Sequence, residues 1–77
     1  MPDILQIVGA NLYRLRNKNG FSQEKFSTIS GIEISEIELF EKGKSDMYIL
    51  TLAHIAKIFG VSLSEMLQPP VVEEKYT

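Results

Sequence analysis

Between Phe21 and Gly43 the sequence FSQEKFSTISGIEISEIELFEKG leaves room for two short helices and almost nothing between them. Ser22 is a good N-cap, because its hydroxyl oxygen accepts from an otherwise unpaired first-turn amide, and Gly31 supplies the left-handed residue that ends a helix after Ser30. A second helix has to begin almost at once. Ile32, Ile37 and Phe40 fall on one face of it at helical spacing, and Gly43 supplies its stop. Isolated helices shorter than about 12–15 residues are marginal in water, so neither of these stands alone. Both must lay their apolar faces against a third helix, which commits this stretch to a helical cluster.

The flanks supply the missing helices. Ile4, Val8, Leu12 and Leu15 recur at three- and four-residue steps, which predicts an amphipathic helix from about Asp3 to Asn17, with Arg14, Arg16 and Lys18 near its C-terminal end. The turn Asn19-Gly20 ends it. After Gly43 the polar loop Lys44-Ser45-Asp46 leads to a fourth helix running to about Phe59, with Asp46 as its expected cap and Ile49, Leu52, Ile55, Ala56 and Phe59 on its apolar face. Gly60 stops that helix. Ser62-Leu63-Ser64-Glu65 then has the form of a capping box and starts a short fifth helix through Leu67, beyond which Pro69-Pro70 forbids continuation. The expected fold is all-α, a compact five-helix domain over residues 1–68 with the paired short helices at 22–41 and a short C-terminal tail at 69–77. With 77 residues the chain sits near the lower size limit for unaided folding, where only about 60% of the unfolded surface is buried, so nearly every helix must share one core.

Composition narrows the chemistry. The chain has no cysteine and a single histidine, His54, so neither a disulfide framework nor a thiolate or histidine-pair metal site is available, and no cofactor is implied. No apolar run approaches the roughly 20 residues of a membrane span, and Met1 to Ala10 carries Asp3 without a basic signal-peptide start, which points to a cytoplasmic protein. The glutamate pairs Glu33/Glu36 and Glu38/Glu41 lie on a short helix with no cleft, no serine sits in a strand-turn-helix elbow, and no glycine-rich phosphate loop exists. Nothing here argues for an enzyme. Eight basic against ten acidic residues give a net charge of -2, so attraction to a polyanion has to come from how charge is distributed.

Leu15, Arg16, Gly20, Ser22, Gln23, Glu24, Phe26, Gly31, Ile37, Phe40, Glu41 and Gly43, followed by Leu52, Ile55, Ala56, Gly60 and Val61, resemble the phage-repressor and Cro-like helix-turn-helix family, often called XRE. The match runs without a gap from about Val8 to Leu67. It implies a repressor-like fold, a DNA-binding transcriptional regulator acting as a repressor, and a homodimer presenting two reading helices to half-sites about 34 Å apart. The resemblance also implies that Gln23 touches the DNA backbone and braces the reading helix. Arg16 and Glu41 take the positions of a partly buried ion pair that fixes the first helix against the end of the reading helix.

By position, Glu33, Ile34, Ser35, Glu38 and Leu39 should face the major groove. That face lacks the Arg, Lys, Asn and Gln side chains that make bidentate base contacts, leaving thymine-methyl contact from Ile34 and Leu39, a hydroxyl from Ser35 and a carboxylate acceptor for cytosine from Glu33. Four glutamates and one lysine lie between Gly31 and Gly43. A basic rim of Arg14, Lys18, Lys25, Lys42 and Lys44 is placed to meet phosphates, which carry affinity rather than sequence information. Leu63, Met66, Leu67, Val71 and Val72 are the expected dimer surface. The alternative is a protein-interaction module, antitoxin or anti-repressor-like, in which Ile34 and Leu39 form an apolar patch rimmed by glutamates.

Overall fold

Asp3 caps the first helix rather than joining it. Its carboxylate accepts from the Gln6 amide at 2.9 Å, and the Gln6 side-chain oxygen accepts from the Asp3 amide at 3.1 Å, so two orphan donors are satisfied reciprocally. The computed structural model describes residues 3–46 and 48–69. Among them are five helices and no strand: α1 (Ile4–Lys18), α2 (Gln23–Ser30), α3 (Ile34–Glu41), α4 (Ile49–Phe59) and α5 (Leu63–Met66).

Local chemistry sets most of these boundaries. The Ser22 hydroxyl accepts from the Lys25 amide at 3.0 Å and starts α2, and Gly31 ends it at φ 78°, a conformation that costs an L-residue and costs glycine little. Ser62 and Glu65 form the reciprocal box that starts α5. Two expectations fail. Ile32 lies in the turn before α3 rather than on it, although it still packs against the core. Asp46 does not cap α4, whose N-cap is Tyr48 with no side-chain hydrogen bond. A capping oxygen must reach the amides of the first turn, and with α4 opening at Ile49 the Asp46 carboxylate stands two positions too early.

Each helix gives the core one apolar side chain with no exposed surface: Leu12, Phe26, Ile37, Ile55 and Met66. Full burial of such a side chain contributes about 1.5–3 kcal/mol, so even the single turn of α5 is anchored by more than its own helix propensity. Phe59 lies flat on Phe26, ring centroids 5.2 Å apart, and tilts against Phe21 at 6.2 Å, which ties the end of α4 to α2. Ile49 departs from the expected inward face and is 59% exposed, because the first turn of α4 overhangs the core instead of crossing it. Met66 is likewise inside, so it is not available to a partner as its place on the fifth helix suggested.

Asn11 occupies the apolar stripe of α1 and is 1% exposed. Its amide nitrogen donates to the carbonyls of Met66 and Gln68 at 2.8 and 2.7 Å, with Glu65 O at 3.4 Å. The Met66 and Gln68 carbonyls lie past the last helical bonds of α5, whereas Glu65 O also accepts from the Gln68 amide. The side-chain oxygen Oδ1 is buried and accepts no hydrogen bond among the described residues.

α1 and α3 come into backbone contact at Gly9, in the middle of α1. A Cβ there would stand 2.1 Å from the Phe40 carbonyl oxygen and 3.1 Å from that of Glu41, both backbone atoms at the end of α3. Only glycine permits this contact. Gly9→Ala should therefore separate α1 from α3 and cost about 2 kcal/mol after alanine's better helix propensity is credited, lowering Tm by roughly 10 °C. Thermal denaturation followed by far-UV circular dichroism reads this directly, and an unchanged Tm would show that the two backbones are not in contact.

Candidate nucleic-acid interface

Because Ile37 and Phe40 turn inward, the 100° step of a helix sends Ser35, Glu38, Leu39 and Lys42 to the opposite side of α3. All four are exposed, Leu39 at 43%, and Ile34 at 36% borders them at the start of the helix. The outward surface is thus one aliphatic side chain, one hydroxyl, one carboxylate and one ammonium.

Glu33 and Glu36 lie elsewhere. Glu33 is the N-cap of α3, with no side-chain hydrogen bond, and Glu36 is turned away from the outward face. Together with Asp46 they line a depression of about 450 Å³ between α3 and the start of α4, where Tyr48 and Thr51 form the other wall. The first amides of α4 have no side-chain cap, and the positive end of the peptide dipole there favours nearby carboxylates. Two of the four glutamates are therefore beside the outward face and not on it. The grouping of all five sequence-selected residues on one face is corrected accordingly: Ile34, Ser35, Glu38 and Leu39 share it, and Glu33 flanks it.

The turn between α2 and α3 is held from three sides. The Ser27 hydroxyl donates to Ile32 O at 2.5 Å, the Ile32 amide donates to the Ser30 hydroxyl at 3.1 Å, and His54 on α4 reaches Ser30 O with Nε2 at 2.9 Å. A carbonyl only accepts, so Nε2 carries the proton. His54 therefore ties α4 to the helix pair.

At the other end of α3 a single carboxylate holds three helices. Glu41 Oε2 accepts from Arg16 Nε at 2.6 Å, and Oε1 accepts from Arg16 Nη2 at 3.0 Å and from the Gln23 amide at 3.1 Å. The third guanidinium nitrogen donates to Phe21 O at 2.8 Å, and the Tyr13 ring lies 5.5 Å from the guanidinium carbon. The Arg16 and Glu41 side chains are 9% and 7% exposed. The hydrogen bonding of Arg16 to the Glu41 carboxylate is the largest influence holding the Arg16 pKa above its ordinary value, so the guanidinium stays charged wherever the protein is folded. Gln23, the first residue of α2, is thereby oriented by a residue at the last turn of α3.

Arg14, Lys18, Lys25, Lys42 and Lys44 are all exposed, from α1, α2 and the segment following α3. Leu63 is partly buried against the core and Leu67 is 39% exposed, while Val71 and Val72 lie outside the described residues. Among the described residues no group of histidine, cysteine or carboxylate side chains could hold a metal ion, and no helix is long and apolar enough to cross a membrane. Asn11 escaped sequence reasoning, although one polar residue interrupting the stripe of Val8, Leu12 and Leu15 is a signal in itself.

Residues 9–70 match a family model described as a helix-turn-helix domain. The chain is 33% identical over 67 residues to an uncharacterized HTH-type transcriptional regulator, y4dJ, of Sinorhizobium fredii, covering 87% of each protein. It is 32% identical over 65 residues to the control protein C.SmaI of Serratia marcescens, covering 84% of this chain and 77% of that one. The crystal structure of the restriction-modification controller protein C.AhdI from Aeromonas hydrophila is similar with a TM-score of 0.74 and 26% identity, over 80% of this chain and 94% of that one.

The three-helix junction makes a quantitative prediction. Arg16→Met leaves Glu41 buried without its cation and should cost about 3 kcal/mol, whereas replacing both residues by apolar side chains should recover much of that loss. Urea unfolding of the two single variants and the double variant measures the coupling. Additive losses would mean that the side chains act independently.

Proposed function

Because the chain belongs to the helix-turn-helix domain family of DNA-binding transcription regulators, in its repressor and Cro-like branch, we propose that it is a homodimeric cytoplasmic repressor that places the outward face of α3 in the major groove. The observation that carries this reading is the shared Glu41 carboxylate, which fixes the start of α2 and the end of α3 in one rigid unit with α1. A side-chain amide has two donor hydrogens. One of those on Gln23 is taken by Glu41, and the other, with the free amides at the start of α2, is available to a phosphate oxygen.

Base reading by this helix is apolar and hydroxylic. Leu39 and Ile34 contact thymine methyls, Ser35 hydrogen-bonds a base edge, and Glu38 accepts from a cytosine amino group. Affinity comes from phosphate contacts by Lys42 and Lys44, with Lys25, Arg14 and Lys18 at the rim. Glu33, Glu36 and Asp46 oppose phosphate on the α4 side. The complex is therefore modest in affinity, steeply dependent on salt and sensitive to the shape of the operator. A protein-docking use of the same face draws support from its two aliphatic side chains alone.

Two measurements test the reading. Lys44→Gln should weaken binding to all duplexes alike and flatten the dependence of log K on log salt by about one unit, the loss of one phosphate contact. Glu33→Gln with Glu36→Gln should raise affinity, most at low salt where screening is weak. Failure of parent and glutamine variants alike to retain any genomic duplex fragment at about 50 mM salt would overturn the proposal and leave the protein-docking use, for which Leu39→Lys should abolish capture of the partner.

A further inference from the structure

One half of the Asn11 amide is matched and the other is not. Nδ2 donates to Met66 O and Gln68 O, while Oδ1 is buried and accepts from nothing among the described residues. Buried side-chain oxygens are nearly always paired, so this one marks a place where a donor belongs. One turn back along α1, Val8 opens onto an apolar groove of about 180 Å³, floored by Val8, Phe40 and Leu52 and lined at its edges by Ile4, Ile49 and Leu67. None of its lining side chains is ionisable, and Ile4 and Ile49 are 50% and 59% exposed. Leu67 belongs to both features. It lies between the two residues whose carbonyls Asn11 holds, so the chain leaves α5 at the edge of the groove.

We propose that residues 70–77, which lie outside the described residues, return along this groove in the same chain, the Val71 amide donating to Asn11 Oδ1 and the Val71 and Val72 side chains resting against the groove walls. Pro69 and Pro70 have no N–H, so Val71 is the first amide that the continuing chain offers to the orphan oxygen. Proline also holds φ near −65°, which suits an extended path rather than another helical turn. Val71 stands four residues past Leu67, a reach of up to about 14 Å, so Asn11 and the groove are both within range. An extended segment sends successive side chains to opposite sides, and two adjacent valines thereby serve the two walls. The order of the residues fits as well. An apolar pair meets a neutral groove, and Glu73, Glu74 and Lys75 pass beyond it into water. The 450 Å³ depression beside α3 is a poor match, because Glu33, Glu36 and Asp46 there would oppose Glu73 and Glu74. Such a cover takes Ile4 and Ile49 out of solvent, and it spends Val71 and Val72, expected from the sequence to meet a partner, within their own chain. It goes beyond the DNA-binding reading and does not rest on it.

Nuclear Overhauser contacts between labelled Ile, Leu and Val methyl groups of the full chain, with amide exchange on the same sample, test the assignment. The Val71 and Val72 methyls should contact those of Ile4, Ile49 or Leu67, and the Val71 amide should exchange about thirtyfold more slowly than in an unstructured chain, or slower still. In an equal mixture of labelled and unlabelled chains an isotope filter separates contacts within a chain from contacts between copies, and these should all lie within one chain. Val71→Ser with Val72→Ser leaves the five-helix core untouched and should lower Tm by about 5 °C through the lost burial. Valine methyls without contacts, together with an unchanged Tm, would overturn the proposal. Contacts found only between copies would also overturn it, since a second chain would then fill the groove. So would a Val71 amide that exchanges freely, or a groove whose methyls meet Met1 or Met47 in place of the valines.

Discussion

Everything that α3 presents to the outside depends on how its last turn is held against α1. Two different forces act there. At Gly9 the absence of a side chain lets backbone approach backbone, which holds α1 and α3 close together. A few residues along, the Arg16 guanidinium grips Glu41 with two nitrogens, in a setting where water screens little. The first sets the distance and the second sets the rotation of α3 about its own axis. Because Gln23 shares the same carboxylate, the orientation of α2 is set by the same event.

That arrangement explains why a helix of eight residues suffices. Ile37 and Phe40 are consumed by the core, Glu41 by the junction, and Glu33 and Glu36 by the flank facing α4. What remains is a narrow outward strip with little hydrogen-bonding capacity toward bases. In a DNA-binding regulator with such a strip, phosphate contacts supply more of the affinity and duplex shape more of the discrimination than where the outward strip carries Arg, Asn or Gln.

Much of the architecture was legible in the residues because it is encoded locally. Ser22, Gly31, Gly60 and the Ser62–Glu65 box act within one turn of themselves, and the boundaries of α2 and α5 follow from them. The start of α4 was not legible. Asp46 is the better capping residue by type, but burial of Leu52 and Ile55 fixes where the helix runs, and Tyr48 takes the cap position without a side chain suited to it. Met66 shows the same limit from the other side. A four-residue helix has too few positions to reveal its inward face by period, and only the fold shows that Met66 fills the core while Leu67 does not. Glu33 was misplaced on the outward strip because it is the N-cap of α3, one residue before the helical period begins.

Asn11 links residues 54 to 57 positions apart, so it is made only after nearly the whole chain has closed on itself. Contacts that distant come late in folding, when the loop entropy has already been spent by other elements. Once formed, the bonds are not easily lost one at a time. Lifting α5 would empty the place that Met66 fills in the core and break both short Asn11 hydrogen bonds at once. The smallest helix is thus coupled to the longest, and the domain should open as one cooperative unit instead of fraying from its C-terminal end.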